Sequence, residues 1–172
     1  MTGDSGPLLV TDRLRLRPWC ADEAAVLREL WAERDPRVPA HRRLDADGRP
    51  WEVELRASIL TSPSMERLLA VQRADAPGPI GYCGWVPAGP DGREPELAFE
   101  LLPRWQGQGY ATEAGRAVID HARAEGLTQL WATVWDWNTA SRRVLAKLGF
   151  VETGQVGAPG PHGVSLLTTR RL

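Results

Sequence analysis

Apolar and polar residues follow two periods along this chain, and the periods divide it into strands and helices. A strand places alternate residues on opposite faces, whereas a helix places residues three and four apart on one stripe. Alternation or short apolar runs predict seven strands: 8–17, 65–73, 80–86, 96–102, 128–135, 150–156 and 164–170. Helical spacing predicts four helices: 21–33, 51–61, 110–125 and 139–148. The sequence therefore predicts an α/β protein with a mixed central sheet of about seven strands and helices on both faces.

Turn residues interrupt this pattern where the elements should end. Asp75-Ala76-Pro77-Gly78 predicts a tight turn between two paired strands. Gly126 follows the third helix in the manner of a C-terminal cap residue. The stretch from 35 to 50 is rich in Pro, Arg, Asp and Gly, which is typical of a loop. No repeat or linker divides the chain, so one domain is predicted over residues 1–172.

The composition is that of an ordinary globular protein, and it excludes several classes of function. The chain has 172 residues, 42% hydrophobic and 25% charged, with a formal net charge of −1. A charge so close to zero gives no general attraction to nucleic acid or to an anionic membrane. No membrane-length apolar run and no secretory signal pattern is present, which indicates a cytoplasmic protein. The two cysteines and three histidines lack disulfide-type and metal-ligand spacings, so no metal is expected.

The candidate chemistry lies in residues 106–111, Gln-Gly-Gln-Gly-Tyr-Ala, between a predicted strand and a predicted helix. Glycines let the backbone approach an anion closely, and a helix start directs unpaired N–H groups at the same place. The segment therefore predicts a pyrophosphate site. A nucleotide-hydrolase P-loop would need a lysine that is absent here. A dinucleotide fingerprint would have a third glycine where Thr112 stands, and it belongs to the first βαβ unit of a fold.

Three blocks of sequence resemble the GCN5-related N-acetyltransferase (GNAT) superfamily. The loop matches its acyl-CoA motif, Gln/Arg-x-x-Gly-x-Gly/Ala, at Gln106, Gly109 and Ala111. Asn138-Thr139-Ala140-Ser141 through Gly149-Phe150 is similar to its Asn-x-x-Ser…Gly-Phe segment. Leu8 to Trp19 resembles the first strand of the RimJ/RimL branch, which acetylates protein N-termini. The resemblance spans roughly residues 8–157 and implies the acetyltransferase fold.

The resemblance also implies which residues hold acetyl-CoA, the expected co-substrate. The pyrophosphate would lie on the N–H groups of the loop, and the pantetheine arm between two strands that splay apart. The implied cofactor-binding residues are Phe99, Glu100, Leu101, Gln106, Gly107, Gln108, Gly109, Tyr110, Ala111, Thr112 and Asn138. Asn138 is also among the best residues for a helix N-cap, so two interpretations of it are open.

Ser141, Glu100 and Glu96 are the catalytic residues that we expect. Ser141 matches a serine proposed in this branch to protonate the departing thiolate, although a serine there can also simply satisfy the first helical turn. Many relatives have a tyrosine as general acid where this chain has Leu145, so that role is not transferred. Glu96 and Glu100 are four residues apart on one strand, which places both carboxylates on one face as candidate bases unless a bulge separates them. Two merely solvated acids are the competing interpretation.

The sequence thus predicts an acetyl-CoA-dependent N-acetyltransferase working by direct transfer in a ternary complex, because no Cys/His or Ser/His pairing indicates an acyl-enzyme. A protein or peptide N-terminus is the preferred acceptor, since an α-amine with a pKa near ~8 needs less base than a lysine near ~10.4. A small amine, such as an antibiotic or polyamine, is the alternative, and a non-catalytic acyl-CoA-binding module is the rival. Segments 31–66 and 157–163 would select the acceptor. No nucleic acid or membrane partner is expected, and a homodimer is left open.

Overall fold

A sheet of eight strands runs through residues 8–172, the part of the chain that this computed structural model describes. The strands are β1 Leu9–Val10, β2 Leu14–Arg17, β3 Leu68–Arg73, β4 Pro79–Pro87, β5 Pro95–Leu101, β6 Gln129–Trp135, β7 Val151–Val156 and β8 Ser165–Arg171. The α-helices are α1 Ala24–Ala32, α2 Glu52–Thr61, α3 Pro63–Arg67, α4 Tyr110–Ala124 and α5 Thr139–Lys147. Across the sheet the order is β1-β2-β3-β4-β5-β6-β8-β7, with β5 and β6 parallel and the other neighbours antiparallel.

Separate hydrophobic cores cover the two faces of this sheet. Helices α4 and α5 pack on one face, and α1 and α2 pack on the other. Ala70 and Val71 are neighbours on β3, and both are fully buried, one in each core. An inner strand that is covered on both faces therefore appears in sequence as a continuous apolar run. The predicted fold class, a mixed sheet with helices on both faces, is confirmed.

The first predicted strand, 8–17, is wrong as a single element. It is a hairpin in which β1 pairs antiparallel with β2 and Leu9 lies opposite Leu16. The N–H of Thr11 donates to the carbonyl of Leu14 (2.9 Å), and the Thr11 hydroxyl accepts the N–H of Leu14 (3.0 Å). Alternation continues on both sides of so tight a turn, so periodicity alone does not reveal it. This division accounts for eight strands instead of seven.

The predicted strand 65–73 begins too early. Its first residues belong to the short helix α3, and β3 begins at Leu68. Pro63 occupies the first position of α3, where its missing N–H breaks no hydrogen bond. A helix this short shows no period in sequence. The other predicted bounds agree with the observed ones to within one residue, apart from a 3-10 helix over Ala21–Glu23 that leads into α1.

Helix α4 is flanked at both ends by glycines with positive φ angles. Gly109 precedes it with φ of 84°, and Gly126 follows it with φ of 88°. The N–H of Leu127 folds back to the carbonyl of Ala122 (3.0 Å), which confirms the predicted cap at Gly126. L-residues with side chains rarely adopt this region, so the length of α4 is set by glycine at each end.

The two cysteines of the chain do not pair with each other. Cys20 is exposed and Cys83 is buried, and both are free thiols. Among residues 8–172, no three His, Cys, Asp or Glu side chains gather as metal ligands. None of the helices formed by these residues has both the length and the apolar character needed to cross a bilayer.

An opening lies between the two parallel strands in the middle of the sheet. β5 and β6 pair at one point, Glu96 opposite Trp131, and the described residues form no second pair between them. Residues 97–101 and 132–135 therefore border a gap, which we call the seam. Because parallel strands end at the same edge of a sheet, the loop before α4 and the start of α5 meet at the seam.

Candidate active site

The loop that leads from β5 to α4 presents its backbone, not its side chains, to the seam end of the sheet. Gly107 and Gly109 have φ angles of 75° and 84°, and residues 106–109 are exposed. The backbone N–H of Glu113 donates to the carbonyl of Gly109 (3.0 Å), whereas within residues 8–172 no protein acceptor takes the N–H groups of 107–112. Unpaired N–H groups at the positive end of a helix dipole bind anions, so the geometry fits a pyrophosphate.

The two glutamines of the loop shape it through their side chains. Nε2 of Gln106 donates to the carbonyl of Leu101 (2.8 Å), which fixes the exit from β5. Nε2 of Gln108 donates to the carbonyl of Arg104 (3.2 Å). Both amides are therefore engaged inside the loop, and its backbone N–H groups are what is left for a ligand.

An ion pair fastens the loop to the β1–β2 hairpin. The guanidinium of Arg13 contacts the Glu113 carboxylate (2.6 Å), donates to the carbonyl of Gln108 (3.2 Å) and lies 4.6 Å from the ring centroid of Tyr110. The Thr11 hydroxyl donates to the same carboxylate (2.6 Å). Burial raises the pKa of Glu113, but the hydrogen bonds from Thr11 and Arg13 outweigh it, so the pKa lies below its ordinary value. Sequence reasoning missed this contact, because Arg13 and Glu113 are 100 residues apart and no local pattern links them.

Glu96 lies where the seam begins. Its carboxylate oxygen Oε1 accepts the N–H of Thr133 on β6 (3.1 Å). This side chain thus replaces the strand partner that Thr133 loses as β5 and β6 separate. Phe99 and Leu101, two of the predicted cofactor contacts, lie beyond this point on the separated half of β5.

Glu100 also lies on the separated half of β5, but its carboxylate is held by two neighbours. Arg34 reaches it through Nε (2.7 Å) and Nη2 (2.5 Å), and the Tyr82 hydroxyl donates to it (2.9 Å). Burial lowers the pKa of Arg34, but the hydrogen bonds that Arg34 donates to Glu100 and the negative charge of Glu100 outweigh it, so the pKa of Arg34 is raised. Burial and the charge of Glu100 raise the pKa of Tyr82 as well. Neither Arg34 nor Tyr82 was foreseen, because nothing in their local sequence links them to β5.

No bulge separates the two glutamates, so the first of the two alternatives left open by the sequence holds. Residues of β5 pair one for one with β4, from Glu96 opposite Val86 to Leu101 opposite Gly81. Regular alternation therefore puts Glu96 and Glu100 on the same face, as the period of a strand requires. The two carboxylates differ in their partners: one accepts a backbone N–H, and the other is locked in an ion pair.

The start of α5 borders the other side of the seam. Oδ1 of Asn138 accepts the N–H of Ser141 (3.1 Å), so the N-cap interpretation of Asn138 is confirmed. The Ser141 hydroxyl makes no hydrogen bond to residues 8–172 and is therefore available. Leu145 is 3% exposed and belongs to the core beneath the helix.

Burial raises the pKa of the Cys83 thiol to about 12, which makes it unsuited as a nucleophile.

The two segments expected to select the acceptor touch each other at the end of β6. The ring of His162 makes a hydrogen bond to the carbonyl of Arg37 through Nδ1 (3.0 Å), and Trp137 donates to the carbonyl of His162 (2.7 Å). The guanidinium of Arg37 lies 4.0 Å from the centroid of the Trp137 ring. Residues from segments 31–66 and 157–163 thus lie together beside the seam, and we call this surface the rim.

Comparison with known proteins identifies the family. The acetyltransferase (GNAT) domain family matches residues 13–151, which is most of the chain. The chain belongs to the GNAT acetyltransferase family. It is 27% identical over 161 residues to an uncharacterised N-acetyltransferase, YoaA, of Bacillus subtilis (strain 168), with 86% of this chain and 85% of YoaA covered.

Solved structures agree with this GNAT fold. A GNAT-family acetyltransferase from Bacillus anthracis superposes with a TM-score of 0.75 at 19% identity, covering 95% of this chain and 97% of its own. RimL, a ribosomal L7/L12 α-N-protein acetyltransferase in complex with coenzyme A, superposes with a TM-score of 0.76 at 16% identity, covering 96% and 98%. The predicted membership of the GNAT superfamily is confirmed by the family match, and the likeness to RimL shows the same fold.

A separate groove of about 740 Å³ lies on the helix α4 side of this GNAT domain, away from the seam. It is bordered by Arg116, Lys147, Gly149 and Arg170 among others, and it includes none of the predicted site residues. The candidate active site is thus a gap between strands with a loop at its end, and it lies outside this groove.

Proposed function

We propose that this protein transfers an acetyl group from acetyl-CoA to a primary amine by direct transfer in a ternary complex. The acceptor that we propose is the α-amine of a protein or peptide N-terminus. The observation that carries the proposal is the row of unpaired N–H groups at 107–112, placed at the end of an open seam between two parallel strands. A pyrophosphate with a long, thin arm matches that combination of loop and gap.

Acetyl-CoA, when bound, supplies the activated acetyl thioester. The loop N–H groups of Gly107 to Thr112 would hold its pyrophosphate. The free edge of β5 from Phe99 to Leu101 would offer backbone groups to the arm, and a backbone N–H there can donate to the thioester carbonyl oxygen. The Asn138 amide group, whose oxygen caps α5, keeps its NH₂ for the same arm.

The proton of the departing thiolate would come from Ser141, whose hydroxyl is uncommitted at the start of α5. For the base, Glu96 is better placed than Glu100. Glu96 keeps one carboxylate oxygen unused, whereas Glu100 is bound by Arg34 and Tyr82. Both oxygens of the Glu100 carboxylate already accept hydrogen bonds from these two neighbours. We therefore assign proton removal from the acceptor amine to Glu96, directly or through water, and assign Glu100 to holding Arg34.

This arrangement supports an α-amine acceptor. An α-amino group is partly neutral at pH 7, whereas a lysine side chain is almost wholly protonated. Glu96 is a single carboxylate that also accepts a backbone N–H, so it is a weak general base. A weak base is sufficient for an α-amine, which loses its proton more readily than a lysine does. The α-N-protein acetyltransferase activity of the structural relative RimL agrees with this choice.

Thiol release from acetyl-CoA tests the proposal directly. The acceptor panel contains peptides with free N-termini, N-terminally blocked peptides with lysine, a polyamine and an aminoglycoside. Release with the free-N-terminus peptides alone is the expected result. Turnover with a small amine alone would replace the acceptor class.

A Ser141→Ala variant separates an enzyme from a mere binding module. The variant should bind CoA as the parent does and lose about tenfold or more in kcat, since the proton donor is gone. CoA binding without any thiol release from the folded parent protein, across the whole panel, would instead favour the module. A Gly109→Trp variant, which blocks the loop, is the control that loses CoA binding under both hypotheses.

A further inference from the structure

The acceptor side of the seam carries arginines that acetyl transfer itself does not require. The loop after α1 approaches Glu100 through Arg34, whose Nη1 also donates to the carbonyl of Arg42 (2.5 Å). This contact fixes the backbone of Arg42 beside the ion pair of Arg34 and Glu100. Burial and the charge of Glu100 raise the pKa of Tyr82, while the positive charges of Arg34 and Arg42 act in the opposite direction.

Other charged groups near the seam already have partners. Arg37 is paired with Asp35 (2.7 Å), as Arg34 is with Glu100 (2.5 Å). Asp136, at the end of β6, accepts the backbone N–H groups of Trp137 (2.9 Å) and Val164 (3.1 Å). These acids are therefore occupied by donors of the protein.

Arg42 differs from these groups. It is exposed, and no carboxylate among residues 8–172 lies within 4.0 Å of its guanidinium nitrogens. The adjacent Arg43 likewise lacks an acidic partner in this part of the chain, although its Nε donates to the carbonyl of Val38 (2.7 Å). The groups on this rim that have no acidic partner are therefore positively charged guanidinium groups. The planar guanidinium of an arginine can donate two parallel hydrogen bonds to a carboxylate.

We propose that Arg42 binds a carboxylate of the acceptor, so that the preferred substrate is a polypeptide N-terminus with Asp or Glu within its first few residues. The inference rests on the proposed peptide N-terminal acetylation and specifies the substrate of that same site. An extended peptide advances about 3.3 Å per residue, so a side chain two to four residues after the amine would extend from the seam to the rim. Polycationic amines would meet like charge at Arg42 and would be disfavoured.

Steady-state kinetics with three matched peptides test this inference. The peptides share the same N-terminal residue and length and carry Glu, Gln or Lys at positions two to four. The wild-type protein should give kcat/KM values in the order Glu, Gln, Lys, with about tenfold between the first two, as expected for one charge-assisted hydrogen bond in a partly solvated place. The advantage should shrink as salt is raised.

Variants then connect the preference to the residue. Arg42→Ser should lose most of the preference for the acidic peptide while keeping kcat/KM for the Gln peptide, and Arg42→Glu should reverse the preference. Arg123→Ser, at the distant end of α4 and paired with Asp120, is the matched control that leaves all three values unchanged. CoA binding by each variant shows that it is folded.

The outcomes distinguish the two levels of the proposal. Equal kcat/KM for the three peptides, or the same preference in Arg42→Glu as in wild type, would overturn this inference and leave peptide acetylation standing. Thiol release with a polyamine but with none of the peptides would overturn both.

Discussion

Arg13 and Glu113 are 100 residues apart in sequence, and their side chains form an ion pair with 2.6 Å between Nη2 and Oε2. The pair joins the turn of the first hairpin to the first turn of α4. Because the same guanidinium also binds the carbonyl of Gln108, it connects the hairpin to the phosphate loop itself. The conformation of that loop therefore depends on a segment that lies about 95 residues earlier in the chain.

Removing the arginine should weaken cofactor binding. We expect Arg13→Ala to raise the Kd for CoA about tenfold, because the loop loses one charged hydrogen bond and the stacking over Tyr110. Isothermal titration calorimetry measures this directly. Arg15→Ala, on the exposed side of the adjacent strand β2, should leave the Kd unchanged. An equal loss of affinity in both variants would show that general charge matters rather than this contact.

The same pair predicts a pH dependence of stability. In the folded protein the pKa of Glu113 lies below its ordinary value of 4.5, so the charged form is favoured by folding. This contribution is fully present above the unfolded pKa and is lost as the pH falls through the folded pKa. Glu113→Gln should therefore melt at a lower temperature than wild type at pH 7. The difference should close as the pH falls below 4.5. Thermal unfolding followed by circular dichroism tests this, and a constant difference at all pH values would contradict it.

The Arg34–Glu100 pair should be worth more than a surface ion pair. The side chain of Arg34 is 10% exposed, and Glu100 is 22% exposed. Arg34→Ala leaves a largely buried carboxylate without its cation, and we expect a loss of about 2–4 kcal/mol in the free energy of unfolding. The double variant with Glu100→Gln should recover part of it.

Arg37→Ala is the control for this measurement, because its pair with Asp35 is exposed and should contribute under about 1 kcal/mol. Urea denaturation of these three variants and of Glu100→Gln alone gives the four free energies. Additive losses in the double variant would mean that Arg34 and Glu100 do not stabilise each other.

Glu96 and Glu100 should differ in kinetics. Glu96→Gln keeps an oxygen for the Thr133 N–H but cannot take a proton, so kcat at neutral pH should fall about 10²-fold and the acidic limb of the pH–rate profile should disappear. Glu100→Gln should lower kcat much less, since its carboxylate is held by Arg34. The opposite ranking would move the base to Glu100.

Helices α4 and α5 approach closely at Gly115. A Cβ atom at this position would lie 2.5 Å from Cδ1 of Leu148. Alanine is the better helix former by about 1 kcal/mol, yet we expect Gly115→Ala to destabilise the protein by about 1–3 kcal/mol because Leu148 is buried and cannot move away. The smaller side chain of Leu148→Val should relieve part of the loss, and urea denaturation measures the sign.

Most of the fold could be predicted from sequence because its helices and inner strands have strong periods. The β1–β2 turn was missed since alternation is unchanged across it, and α3 was missed since five residues show no period. The phosphate loop was found because its glycines and the helix after it are local features. Arg34, Tyr82 and Arg42 were missed as neighbours of Glu100, because only the packing of α1 and its following loop against β4 and β5 brings them together.

The single pairing of Glu96 with Trp131 marks a division of the sheet into two ladders. On one side β1 to β5 form a continuous antiparallel ladder, and on the other β6, β8 and β7 form a second one. The same buried core nevertheless continues beneath both ladders, with Leu101 of β5 and Leu130 of β6 among its members. Side-chain packing therefore joins the two halves of the sheet where backbone pairing does not, and the width of the gap is set by that core.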